Sequence, residues 1–136
     1  MMSDHLRGFH HIALRAKDFD ATVRFYADGL GLTPAFTWGE GDGRAVMLHA
    51  GNGNFLEVFA GGTGESQPEG AYLHLAFVTE NCDAIYQRAL AAGATSQMEP
   101  TSLTILSTPA PLPVRIAFCK GLDGEVIEFF QQKSGG

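Results

Sequence analysis

FHHIALRA, residues 9–16, and AYLHLAFVT, residues 71–79, are two versions of one stretch, and their correspondence decides the fold. Laying His11 on His74 puts Ile12 on Leu75, Leu14 on Phe77 and Asp20-Ala21 on Asp83-Ala84. An internal repeat of roughly 60 residues is too long for a solenoid unit. It predicts two paired modules of an α+β domain, each covering apolar surface that the other would expose.

Working outward, each copy is followed by the same punctuation. In the first, Asp18 reads as the N-cap of a helix whose Phe19, Val23, Tyr26 and Leu30 recur at helical spacing, with Gly29 and Gly31 as its stop. Three β-like runs come next, near 33–40, 44–50 and 54–60, parted by Gly-Asp-Gly (41–43) and Gly-Asn-Gly (51–53), both hairpin signals. GGTGESQPEG (61–70) is a polar, Gly-rich linker. In the second copy Asn81 caps a helix carrying Cys82, Ile85, Tyr86 and Ala89 on one face, and Gly93 ends it. Runs near 96–106, 113–120 and 125–131 complete it, the last two joined by Leu122-Asp123-Gly124, with the proline-rich TPAPLP (108–113) as an inserted loop. The predicted architecture is two tandem βαβββ modules, about 9–61 and 71–131, in a single domain spanning 1–136.

Composition agrees with one domain. The chain has 136 residues, 45% hydrophobic and 18% charged, which is the balance of a folded globular protein and excludes intrinsic disorder. A net charge of −6 gives no basic footprint for nucleic acid or an anionic membrane surface. The N-terminal MMSDHLRGFHH lacks the layout of a signal peptide and no apolar run approaches ~20 residues, so the expected location is cytoplasmic. Cys82 and Cys119 are not in a C-x-x-C pair and read as reduced, structural thiols.

Strand parity sorts side chains onto faces. Ile12 and Leu14 read as core, with His11, Ala13 and Arg15 opposite. Leu56 and Val58 oppose Phe55, Glu57 and Phe59. Leu73, Leu75 and Phe77 oppose Tyr72, His74 and Ala76, and Ile127 and Phe129 oppose Val126, Glu128 and Phe130. Four strands thus each carry one ionisable residue mid-strand on the face that does not pack a helix: His11, Glu57, His74 and Glu128. Two carboxylates aimed into one cleft repel unless a cation lies between them. Two imidazoles and two carboxylates suit a borderline divalent metal: Ni, Co, Zn, Mn or Fe. Each residue also has a plainer role open to it, since a strand histidine is often a hydrogen-bonded structural residue and a strand glutamate can face water. By parity His10 lies off this face and reads as structural.

HIALRAKD (11–18), Phe25-Tyr26, Gly29-Leu-Gly31-Leu, Phe55-Leu-Glu57-Val, Tyr72-Leu-His74-Leu-Ala and Asp123-Gly-Glu-Val-Ile-Glu128-Phe together resemble the glyoxalase/bleomycin-resistance/dioxygenase, or vicinal oxygen chelate, superfamily over about residues 9–131. The resemblance implies modules that curl into an open, barrel-like cleft around a metal held by His11, Glu57, His74 and Glu128. That ligand pattern looks most like lactoylglutathione lyase (glyoxalase I). Arg15 stands where glyoxalases hold a glutathione carboxylate, whereas Gly61 stands where they place an asparagine. The compact length looks like the bacterial enzymes that use nickel or cobalt and form homodimers.

What this implies is isomerisation of a 2-oxoaldehyde–thiol adduct, with the thiol glutathione or another, through a metal-bound enediolate. Glu128 or Glu57 is the catalytic base, and Arg15 or Arg115 pairs with a substrate carboxylate. Phe55, Phe59, Tyr72 and Phe130, with Trp38 and Met47, are candidate apolar walls. The competing expectations are a metal-dependent dioxygenase or thiol transferase on the same ligands, and a non-enzymatic binder of the bleomycin-resistance type.

Overall fold

The structure is a computed structural model and describes residues 5–65 and 70–133. The extreme N-terminal residues 1–4 and positions 66–69 of the expected linker lie outside the described residues. The chain divides into two compact units at Thr63 and Gly64.

The first unit runs β1 (His11–Arg15), α1 (Phe19–Arg24), β2 (Thr33–Trp38), β3 (Ala45–Gly51) and β4 (Asn54–Phe59). Its sheet has the order β1-β4-β3-β2, with β1 parallel to β4 and the other pairs antiparallel. Asp18 caps α1 as predicted, accepting from the Ala21 amide at 3.1 Å. The helix then widens into a π-helical turn over Phe25–Gly29, where the Leu30 amide reaches back to the Phe25 carbonyl. That extra residue per turn buries Phe25 and Tyr26 together, one more aromatic than the plain helical spacing predicts. Asn52 and Gly53 both take positive φ, the backbone a two-residue hairpin between β3 and β4 requires. Val46, Leu48, Leu56 and Val58 line the helix-covered face and are buried.

The second unit repeats the order: β5 (Leu75–Val78), α2 (Cys82–Ala91), β6 (Thr95–Ile105), β7 (Leu112–Lys120) and β8 (Val126–Gln132). Its sheet order is β5-β8-β7-β6, again with the first and last strands parallel. Asn81 caps α2 through the Ala84 amide, and Gly93, at φ 117, lets the chain leave it. Cys82, Tyr86 and Ala89 on the helix pack with Ala117, Cys119, Ile127 and Phe129 on the sheet, all buried. Both cysteines are free thiols, as the sequence predicts. The fold is α+β: two βαβββ units, each with an open four-stranded mixed sheet.

Several local expectations are corrected. The strand placed at 71–79 covers only Leu75–Val78, because its parallel partner β8 begins at Val126 and Leu75 already pairs with Ile127. Residues 71–74 lie before the paired stretch, where Leu73 is exposed rather than core and Tyr72 is 95% exposed. Ile12, expected in the core, is 47% exposed on the edge strand β1. The inserted loop is shorter than 108–113: β7 starts at Leu112, and Pro113 pairs with Thr104 near the loop end of the β6–β7 hairpin.

Candidate functional site

Register in the first unit puts a consistent set of side chains on the face away from α1. His11 pairs with Phe55, Ala13 with Glu57 and Arg15 with Phe59 across β1–β4. His49 pairs with Phe55, Met47 with Glu57 and Ala45 with Phe59 across β3–β4. A register shift in β2 between Pro34 and Phe36 then aligns Phe36 with Met47 and Trp38 with Ala45 on that same face. Glu57 sits in the middle of this surface, only 8% exposed, with His11 Nε2 at 3.5 Å from its Oε1. Around it the rings meet directly: Phe36 and His49 against Phe55, Trp38 edge-on to Phe59. The Arg15 guanidinium lies over Phe59 at 5.6 Å and spends one N–H on the Ala60 carbonyl, at 3.0 Å.

The second unit builds the same arrangement. Glu128 pairs with Ala76 on one side and Phe118 on the other, on the face away from α2, and is also 8% exposed. His74 Nε2 approaches its Oε1 at 2.9 Å, and the His74 ring stands edge-on to Phe118. Phe130 shares this face by register, through Val78 and Ile116. Both histidines sit at strand starts, not mid-strand: His11 opens β1 and His74 immediately precedes β5.

A carboxylate buried to this degree among phenylalanines is costly unless a partner offsets its charge. Each unit supplies one partner, an imidazole, and together they form a two-donor N,O pair. Among the described residues neither unit alone brings three or more His, Cys, Asp or Glu side chains into one metal-sized group. Two donors are fewer than the three protein ligands of an ordinary catalytic metal site. The chemistry of the donors, nitrogen and carboxylate oxygen at buried glutamates, does fit a borderline divalent cation.

Not every candidate comes to these surfaces. Arg115 alternates onto the helix side of its sheet, where Nε and Nη2 grip Asp83 at 2.6 and 2.8 Å and Nη1 donates to Ser102. The bond to Arg115 holds the Asp83 carboxyl below its ordinary range, and that to Asp83 holds the guanidinium above its own. Tyr72 precedes its strand and faces outward. Gly61, at φ 86, would set a Cβ 3.3 Å from Asp42 and 3.6 Å from Arg15 Nη1. His10, read from parity as structural, has its Nδ1 2.8 Å from Nδ1 of His11.

Comparison with known proteins bears on the whole chain. The family model "Glyoxalase/Bleomycin resistance protein/Dioxygenase superfamily" matches residues 8–129. The chain belongs to this superfamily. A curated relative, the uncharacterized protein YwbC of Bacillus subtilis, is 29% identical over 126 residues, covering 90% of this chain and 95% of that protein. Among solved structures, a glyoxylase/bleomycin resistance protein/dioxygenase domain from Frankia matches at TM-score 0.77 and 20% identity, over 96% of each chain. A Glu-to-Gln mutant of the fosfomycin resistance protein FosX of Listeria monocytogenes, complexed with Mn(II) and 1S,2S-dihydroxypropylphosphonic acid, matches at TM-score 0.67 and 18% identity over 93% of each chain. At these identities the structural likeness speaks to the fold. The superfamily contains both metalloenzymes and proteins without catalytic activity.

Proposed function

We propose that the chain is a divalent-metal enzyme of the lactoylglutathione lyase type, isomerising a 2-oxoaldehyde–thiol adduct by moving a proton between adjacent carbons. One observation carries the reading: in each unit a buried glutamate of the last strand lies beside the histidine that opens the first, His11 with Glu57 and His74 with Glu128. These four side chains would hold the cation, nickel, cobalt or zinc by preference. A bound cation would supply Lewis acidity toward the substrate's two neighbouring oxygens.

The remaining work falls to the chain's own groups. Glu128 takes the proton from the carbon beside the carbonyl and returns it to the next carbon, a general-base contribution of roughly 10²–10⁴-fold. A carboxylate held among Phe118, Phe130 and Ala76 is shielded from water, which keeps that proton from exchanging away. Arg15 keeps further N–H donors beyond the one on Ala60 and would pair with a substrate carboxylate. Phe55, Phe59 and Trp38 supply apolar contact for the rest of the substrate.

The test is metal analysis of protein purified without chelator, followed by a methylglyoxal–glutathione lyase assay with nickel, cobalt and zinc. Turnover with at least one cation is expected. Bound metal with no turnover under any of them would reject the lyase reading. The aromatic surface around Glu57 favours a second reading, a metal-dependent dioxygenase acting on an aromatic diol, which oxygen consumption with a catechol would reveal.

A further inference from the structure

We infer that His10 is a positioning residue for the cation site: its Nδ1 accepts the proton on Nδ1 of His11, leaving the Nε2 lone pair of His11 turned toward Glu57. The inference rests on the metal reading above. The two Nδ1 atoms are 2.8 Å apart, a distance that requires one proton between them. Which ring supplies it follows from the other end of His11. Its Nε2 stands 3.5 Å from Glu57, beyond a normal N–H···O hydrogen bond, so no proton on Nε2 is being given to the carboxylate. A ring that ligates a cation through Nε2 must carry its proton at Nδ1, the atom that faces His10.

The second unit is the contrast. Where His10 stands before His11, Leu73 stands before His74, and there Nε2 closes to 2.9 Å on Glu128, the spacing of a ring that donates directly. His10 is itself held in place. Its carbonyl accepts from the Phe55 amide at 2.8 Å, and its ring lies 5.3 Å from that of Phe55 and edge-on to His11. A hydrogen-bond acceptor behind a ligating histidine fixes ring orientation and tautomer and raises ligand basicity, and its loss weakens metal binding about 10- to 100-fold.

The experiment measures nickel(II) affinity by chelator competition for wild type, His10→Phe, His10→Asn and His11→Ala. It also reads the His11 ring nitrogens by ¹⁵N NMR in the cation-free protein. His10→Phe keeps a ring against Phe55 but removes the acceptor, while the amide oxygen of His10→Asn stands in for Nδ1. The expected result is a loss of about 10-fold or more in nickel affinity for His10→Phe, with the His11 proton moving from Nδ1 to Nε2, and restoration of both in His10→Asn. Wild-type affinity in His10→Phe alongside a loss in His11→Ala would overturn the role of His10 alone. A wild-type His11 protonated at Nε2 would do the same. Undiminished affinity in His11→Ala would overturn the metal reading itself, and the cation role of His10 with it.

Discussion

Glu57 and Glu128 occupy matching places in their units, yet their neighbours differ: Met47 and Ala13 flank the first, Phe118 and Ala76 the second. In the proposed reaction the closer His74 contact and the larger aromatic neighbour favour Glu128 over Glu57 as the base. Glu128→Gln is therefore expected to lower kcat roughly 10²–10⁴-fold, with nickel content measured beside it to separate lost metal from lost proton transfer. If Glu57→Gln rather than Glu128→Gln shows that loss at full metal content, the two roles are reversed. A different residue, Cys119, contributes a loss of stability at alkaline pH. Burial, followed by the Glu125 carboxylate, pushes the Cys119 thiol up to about 11 from an ordinary 9.0. The folded chain thus prefers the neutral thiol. Its contribution is fully present below about pH 9 and disappears as pH climbs toward about 11. Urea midpoints taken at about pH 8 and about pH 10.5 should fall less steeply in Cys119→Ala than in wild type.

At the scale of elements, the repeat extends to a pair of ion contacts. Asp20 and Asp83 were aligned by the first residues read, and each proves to be tied to an arginine of the third-strand region, Arg44 at 3.2 Å and Arg115 at 2.6 Å. Both contacts fasten the first turn of a helix to its sheet. The aligned Asp-Ala pair was the signal. Without the strand register it could not be told from a capping preference, and Arg115 was accordingly read as a substrate contact. Arg115→Ala is expected to lower Tm while leaving kcat/KM unchanged, and a loss of kcat/KM without a change in Tm would return it to the substrate. The caps are the other legible feature of these helices. Asn81→Ala, which leaves the Ala84 amide without its acceptor, should cost about 1 kcal/mol in denaturant unfolding, whereas Asn81→Asp should keep most of it.

For the whole molecule, the open sheets leave β1, β2, β5 and β6 as edge strands, and all four carry exposed apolar residues: Ile12 on β1, Phe36 and Trp38 on β2, Val78 on β5, Leu103 and Ile105 on β6. Exposed apolar edges of this kind are normally covered. Sedimentation equilibrium is expected to report a homodimer, and Val78→Lys to shift the mass toward that of one chain. A wild-type monomer at micromolar concentration would contradict that assembly. Among the described residues no helix is long and apolar enough to cross a membrane.

The order of elements was readable from residues alone, because periodicity, caps and glycines with positive φ are local properties: Asp18, Asn81, Asn52-Gly53 and Gly93 each act within a few positions of themselves. Parity likewise put Glu57 and Glu128 on the correct faces, since both lie inside strands paired on both sides. It failed for Leu73, which lies before its strand begins, where alternation no longer governs direction. Only the tertiary structure decided where each strand stops, through the length of its partner, and only it brought Arg115 to Asp83. Those outcomes depend on atoms far apart in the chain, and no window of sequence contains the distance between them.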